Sequence, residues 1–185
     1  LALVTEDVLK SAVDEALHVY PESSELYHKL ADYVGVSPGN LILTAGSDGA
    51  IRSVFETFVD PGDTGLFTDP TFAMYPVYSQ IFGAKTHRIP YRQSSSGLTL
   101  DHRAIIQTIE TLSPKLVCIP NPDSPTGTVI PPEKLKDLAE AAGLANTILL
   151  VDEAYHPFYS WSAVPWIDTM PHVVVARTFS KAWGL

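Results

Sequence analysis

Apolar positions recur along this chain in two alternating rhythms. After Thr5, a candidate N-cap, Val8, Leu9, Ala12, Val13, Ala16 and Leu17 fall at helical spacing, and Pro21 closes the run. A second helix fits Ser24 to Val34 and stops at Gly35. Leu41 to Leu43 reads as extended. Gly46-Ser47-Asp48-Gly49 then opens a helical stripe through Ile51, Val54, Phe55 and Phe58. Gly62 and Asp63 turn the chain into a short strand, Gly65 to Thr68. A helix over Ala73 to Phe82 and a strand over Lys85 to Ile89 follow. The second half repeats the alternation: helix Asp101 to Thr111, buried strand Lys115 to Ile119, helix Pro132 to Ala142 with Gly143 just past its end. Two more β-rich apolar runs are Thr147 to Val151 and His172 to Ala176.

Strands separated by helical stretches need crossover connections. The pattern therefore predicts an α/β fold with three layers, α/β/α, around a mostly parallel sheet. In such sheets ligands sit outside the carboxyl ends of the strands. Here those ends are Pro120-Asn121-Pro122, Asp152-Glu153-Ala154-Tyr155 and Arg177-Thr178-Phe179-Ser180-Lys181.

Composition narrows the function classes. The chain has 185 residues, of which 45% are apolar, with no repeat, low-complexity tract or flexible linker. Its net charge is −9, with no basic stripe, which gives no support for binding nucleic acid or an anionic membrane. The apolar runs are strand-length, too short to span a bilayer, and no basic segment leads into an apolar run as in a secretory signal. Cys118 has no disulfide partner, so a reducing, cytoplasmic setting is expected. Residue 1 stands inside an apolar run without an initiator Met, and Leu185 directly follows the richest motif. The expectation is a piece of a longer protein, cut at both ends.

Chemistry gathers at the strand ends. Asp152 follows Ile148-Leu149-Leu150-Val151, where a buried carboxylate needs a cation or several donors. Taken singly, it favours a cap or an ion pair at a strand end. Lys181 follows the next strand, where desolvation would free its amine to attack a carbonyl. Alone, it reads as a surface lysine. Gly46-Ser47-Asp48-Gly49 opens a helix whose N–H groups suit a phosphate, although taken alone an ordinary N-cap by Ser47 or Asp48 is the favoured reading. Phe72, after a strand, offers a ring that core packing would also explain. Together these signals describe one ligand. It has an aldehyde for Lys181 and a basic ring nitrogen for Asp152. It has a phosphate for Ser47, Asp48, Thr178 and Ser180, a flat face for Phe72, and a phenolic oxygen for Tyr155. Pyridoxal 5′-phosphate carries all of these groups. No metal site is expected.

The motifs also resemble a known family. Asn121-Pro-Asp-Ser-Pro-Thr-Gly127, Val151-Asp-Glu-Ala-Tyr155 and Arg177-Thr-Phe-Ser-Lys-Ala-Trp-Gly-Leu185 are similar to class I/II aminotransferases of fold-type I. The histidinol-phosphate aminotransferase group is the most similar branch, and Tyr20-Pro21, Gly46-Ser47-Asp48 and Pro70-Thr-Phe-Ala-Met-Tyr75 match it in the same order. The resemblance covers nearly the whole chain. It implies that residues 1–185 are the large cofactor-binding domain, incomplete at both ends, with the C-terminal small domain absent. Lys181 would hold the cofactor as a Schiff base and move a proton between the substrate Cα and the cofactor C4′. Asp152 would keep the pyridine nitrogen protonated, Tyr155 would bond the phenolic oxygen, and Phe72 would stack on the ring. Ser47, Asp48, Thr178 and Ser180 would hold the phosphate. Tyr20 would reach the phosphate of a partner subunit, which implies a homodimer. The implied partners are a small-molecule amino donor, L-histidinol phosphate first, and a 2-oxo acid.

One position departs from the family. Relatives usually place Asn before Pro-Thr-Gly, where its amide donates to the phenolic oxygen; Ser124 stands there in this chain. A serine is shorter and can reach the same oxygen through a water, which would alter the cofactor's titration rather than abolish binding. Asn121 belongs to the earlier Asn-Pro of the motif. Cys118 is expected to act as a small hydrophobe, and His156 as a structural or solvent-facing residue. Two other readings stay open. One is a decarboxylase of a phosphorylated amino acid, using the same cofactor residues. The other is an aminotransferase-like regulatory domain that binds a ligand without turning it over.

Overall fold

The computed structural model describes residues 20, 22–95 and 97–184. The predicted stripe from Val8 to Leu17 and its stop at Pro21 lie outside them. The chain divides into two compact units, Leu1–Ile42 with Gly184 and Leu43–Trp183 with Leu185. Within the first, helix α1 (Ser24–Val34) ends at Gly35, whose left-handed backbone (φ +81°) lets its N–H donate to the Ala31 carbonyl. A 3-10 turn covers Pro38–Asn40. Leu41 is extended, as expected, yet it joins no ladder among the described residues.

The second unit holds helix α2 (Gly46–Phe58), strand β1 (Thr64–Asp69), helix α3 (Met74–Ile81) and strand β2 (Lys85–Pro90). Two short strands, β3 (Arg92–Ser94) and β4 (Gly97–Thr99), form a hairpin. Helix α4 (His102–Leu112), strand β5 (Leu116–Pro120), helix α5 (Pro132–Leu144), strand β6 (Ile148–Asp152) and strand β7 (Val173–Ala176) complete it. Five strands form one parallel sheet in the order β2-β1-β5-β6-β7.

Strand alternation sends successive side chains to opposite faces, and two buried clusters result. Val117, Ile119, Leu149 and Val151 meet Ile105 and Ile109 of α4 and Leu135 and Leu138 of α5. Leu116, Cys118 and Leu150 meet Ile51, Val54 and Phe55 of α2 and Tyr75 and Tyr78 of α3. This is the expected three-layer α/β/α arrangement. Both faces of β5 are covered, which is why it reads as an unbroken apolar run.

Two elements differ from the sequence reading. Gly143 lies inside α5, not past its end. A Cβ there would stand 2.7 Å from the His172 ring, whose Nε2 lies 2.8 Å from the Ala139 carbonyl oxygen, so the glycine makes room for a close ring contact in mid-helix. The hairpin is the second difference, because three-residue polar strands carry too little alternation to register in the sequence.

Candidate active site

The parallel register sets the site. Asp152 ends β6 opposite Ala176 of β7, so the two strands finish side by side and release their following residues together. Asp152 points to the α2/α3 face and is buried. One carboxylate oxygen, Oδ2, accepts from the Tyr75 hydroxyl at 2.8 Å, and Oδ1 accepts from the Ala154 N–H at 3.0 Å. Burial pushes its carboxyl above the usual range; the Tyr75 and Ala154 donors and the Lys181 charge pull the other way. The Tyr75 phenol is pushed well up by burial and by Asp152.

Glu153 points to the opposite face and is also buried. Its Oε2 accepts from Arg177 Nε at 3.0 Å and from the Ser162 hydroxyl at 2.8 Å, and its Oε1 accepts from the Ala163 N–H at 2.7 Å. Arg177 also donates to Ser162 Oγ at 2.7 Å. This ion pair closes the ends of β6 and β7 on the side away from Asp152. Sequence reasoning missed both partners. The register carries the signal that could have found them: if Asp152 pairs with Ala176, Glu153 must neighbour Arg177.

Beyond β7 the chain turns. Thr178 Oγ1 and Ser180 Oγ lie 2.9 Å apart, and the Ser180 N–H donates to Thr178 Oγ1 at 3.2 Å. The start of α2 comes up against this pair. Gly46 has φ +70°, and a Cβ on it would lie 3.5 Å from Thr178 Oγ1. The Ser47 and Asp48 N–H groups belong to the first helical turn, which has no carbonyl one turn back to satisfy it. Hydroxyls and free helix N–H groups thus face one region, a donor set suited to a phosphate. The Asp48 carboxylate turns aside to accept from the Tyr78 hydroxyl at 2.9 Å.

Lys181 lies in the same loop, with Nζ 5.8 Å from the centre of the Tyr155 ring. Its side chain is exposed, contrary to the desolvation expected from the sequence, because it stands in turns beyond the end of β7. Phe72 is half-buried, edge-on to Tyr75. Ser124 and Tyr155 line one cavity of about 480 Å³ with Asp123 and Phe158. The Asn121 amide is committed to the backbone of Ile130, as donor at 3.2 Å and acceptor at 2.9 Å, and holds the loop rather than a ligand. Asp123 tightens that loop further, accepting from the Thr126 N–H at 3.1 Å and from its hydroxyl.

Cys118 is fully buried, and burial together with Asp152 pushes its thiol well up. Burial lowers the pKa of His156, with the Arg177 charge second. Tyr20 is 97% exposed. Among the described residues no cluster of His, Cys, Asp and Glu could hold a metal ion, and no helix is long and apolar enough to cross a membrane.

Comparison with known proteins agrees with this fold. The family model for "Aminotransferase class I and II" matches residues 3–185. The chain belongs to the class I and II aminotransferase family. Histidinol-phosphate aminotransferase of Caldanaerobacter subterraneus subsp. tengcongensis is 38% identical over 186 residues, which cover 97% of this chain and 51% of that protein. The protein of the same name from Citrobacter koseri is 34% identical over 175 residues, 92% of this chain and 47% of its own. Among solved structures, histidinol-phosphate aminotransferase from Sinorhizobium meliloti, in complex with pyridoxal 5′-phosphate, superposes with a TM-score of 0.82 at 27% identity, covering 96% of this chain and 48% of that one. The PLP-bound C-S lyase from Staphylococcus hominis gives a TM-score of 0.84 at 18% identity and shares the fold. This aminotransferase-family chain spans about half the length of the curated relatives it matches.

Proposed function

We propose that this chain is the cofactor-binding part of a pyridoxal-phosphate-dependent aminotransferase that exchanges an amino group between an amino donor and a 2-oxo acid. L-Histidinol phosphate is the donor proposed first, on the strength of the relatives' names. The observation that carries the reading is the meeting, at the ends of β6 and β7, of a buried carboxylate, a lysine and a hydroxyl-lined helix N-terminus.

The residues fit the cofactor in kind. Burial raises the pKa of the Asp152 carboxyl, so its ionised form needs a cationic partner, as a protonated ring nitrogen would be. Thr178, Ser180 and the Ser47 and Asp48 N–H groups are donors for a phosphate. When bound, the cofactor supplies a ring that withdraws the electron pair left by the breaking Cα–H bond. Lys181 Nζ would hold the cofactor's aldehyde carbon and, as a free amine, would take the proton from the substrate Cα. Asp152 would keep the proton on the ring nitrogen. Tyr155 and Ser124 would serve the phenolic oxygen, and Phe72 would cover one face of the ring. The exposed Tyr20 supports a shared site in a homodimer, in which it reaches the partner's phosphate.

A panel of amino donors, each with and without a 2-oxo acid, tests this on the full-length protein. The reading predicts that donor consumption requires the 2-oxo acid, with histidinol phosphate the fastest donor. Release of CO₂ without any 2-oxo acid would replace it with decarboxylation.

A further inference from the structure

Tyr75 touches both groups assigned to the cofactor ring. Its N–H donates to the Phe72 carbonyl at 3.2 Å, and its side chain is fully buried. Its hydroxyl donates to Asp152 Oδ2 at 2.8 Å. Its ring stands edge-on to Phe72, with centres 5.6 Å apart and planes at 77°, and packs at the same distance on Phe67 behind it. The only other hydrogen bond to the Asp152 carboxylate among those described comes from the Ala154 N–H, which is backbone and fixed.

The other groups around Asp152 cannot take over this role. Cys118, beneath it on β5, is a weak donor. Glu153, directly after β6, is tied to Arg177. Lys181, from the loop after β7, acts on Asp152 through its charge. A carboxylate can rotate about its terminal torsion, and one backbone donor on one oxygen leaves that rotation soft. A second donor on the other oxygen, delivered by a ring clamped between Phe67 and Phe72, fixes it. The phenol keeps its proton, since burial and Asp152 push its pKa well up.

We infer that Tyr75 is a positioning residue: it holds Asp152 in the orientation that meets the cofactor's ring nitrogen and sets Phe72 against the ring face. The inference rests on the pyridoxal-phosphate reading above. It extends that reading to a residue whose position in an apolar helix reads, from sequence, as core.

The test is a cycle on the full-length protein, comparing wild type, Tyr75→Phe, Asp152→Asn and the double variant. The readouts are the equilibrium dissociation constant for pyridoxal phosphate and the pH midpoint of the bound cofactor's visible absorbance. Tyr75→Phe keeps the ring and its packing. It is expected to weaken cofactor binding about tenfold, the size of one hydrogen bond to a charged group, and to move the midpoint. In the Asp152→Asn background the same change should have no further effect. Unchanged binding and midpoint in Tyr75→Phe would overturn the inference, as would an equal loss in both backgrounds, which is what packing alone would give. If Tyr75→Phe does not fold, 3,5-difluorotyrosine at position 75 keeps ring and hydroxyl while strengthening the donor. It must then shift the midpoint, and no shift overturns the inference. A wild-type protein that binds no pyridoxal phosphate sinks the underlying reading as well.

Discussion

Asp152 shows how much one residue reveals through its place in the chain. A carboxylate directly after four apolar residues has to be buried and has to be served, and it is both. What the sequence hid was the server. Tyr75 sits 77 positions away, and nothing in its local pattern separates a core tyrosine from a donor to Asp152. The raised carboxyl pKa has a consequence for stability, with a definite sign. In the cofactor-free protein the unfolded chain ionises near an ordinary Asp value of about 3.9, before the folded site does. Stability is therefore lost as pH rises from about 4 through the folded pKa. Asp152→Asn removes this loss. Urea unfolding of both cofactor-free proteins should show the variant gaining on wild type as pH rises; parallel curves would contradict the burial argument. Ser124 supplies a second prediction at this scale. Ser124→Asn should move the pH titration of the bound cofactor's absorbance while leaving cofactor bound, and superimposed curves would remove Ser124 from the site.

At the scale of elements, the sheet was legible because strand and helix periods differ so sharply. All five strands of the parallel sheet were read within a residue or two of their observed bounds. Short polar elements were not, as β3 and β4 show, and Leu41 to Leu43 shows that an extended backbone needs a partner to become a strand. Register was legible in principle but unused, and the Glu153–Arg177 pair was lost with it. Arg177→Met leaves the buried Glu153 without its cation and should cost about 3 kcal/mol in urea unfolding. Adding Glu153→Gln should recover part of that loss, whereas additive losses would mean that the two do not act as a pair. The start of α2 gives a further test. Gly46 adopts φ +70°, so Gly46→Ala should cost about 1–2 kcal/mol. The strained turn would also displace the Ser47 and Asp48 N–H groups, so phosphate-dependent cofactor binding should weaken in the same variant.

For the whole molecule, the decisive fact is extent. The family model spans nearly the whole chain, yet the chain covers about half of its relatives. The isolated 185-residue chain should show no transamination and bind cofactor more weakly than the full-length protein does. The most direct test is borohydride reduction of the full-length protein with pyridoxal phosphate, followed by peptide mass mapping. The account predicts a stable pyridoxyl label on Lys181 that disappears in Lys181→Ala; a label on another lysine, or none, would contradict it.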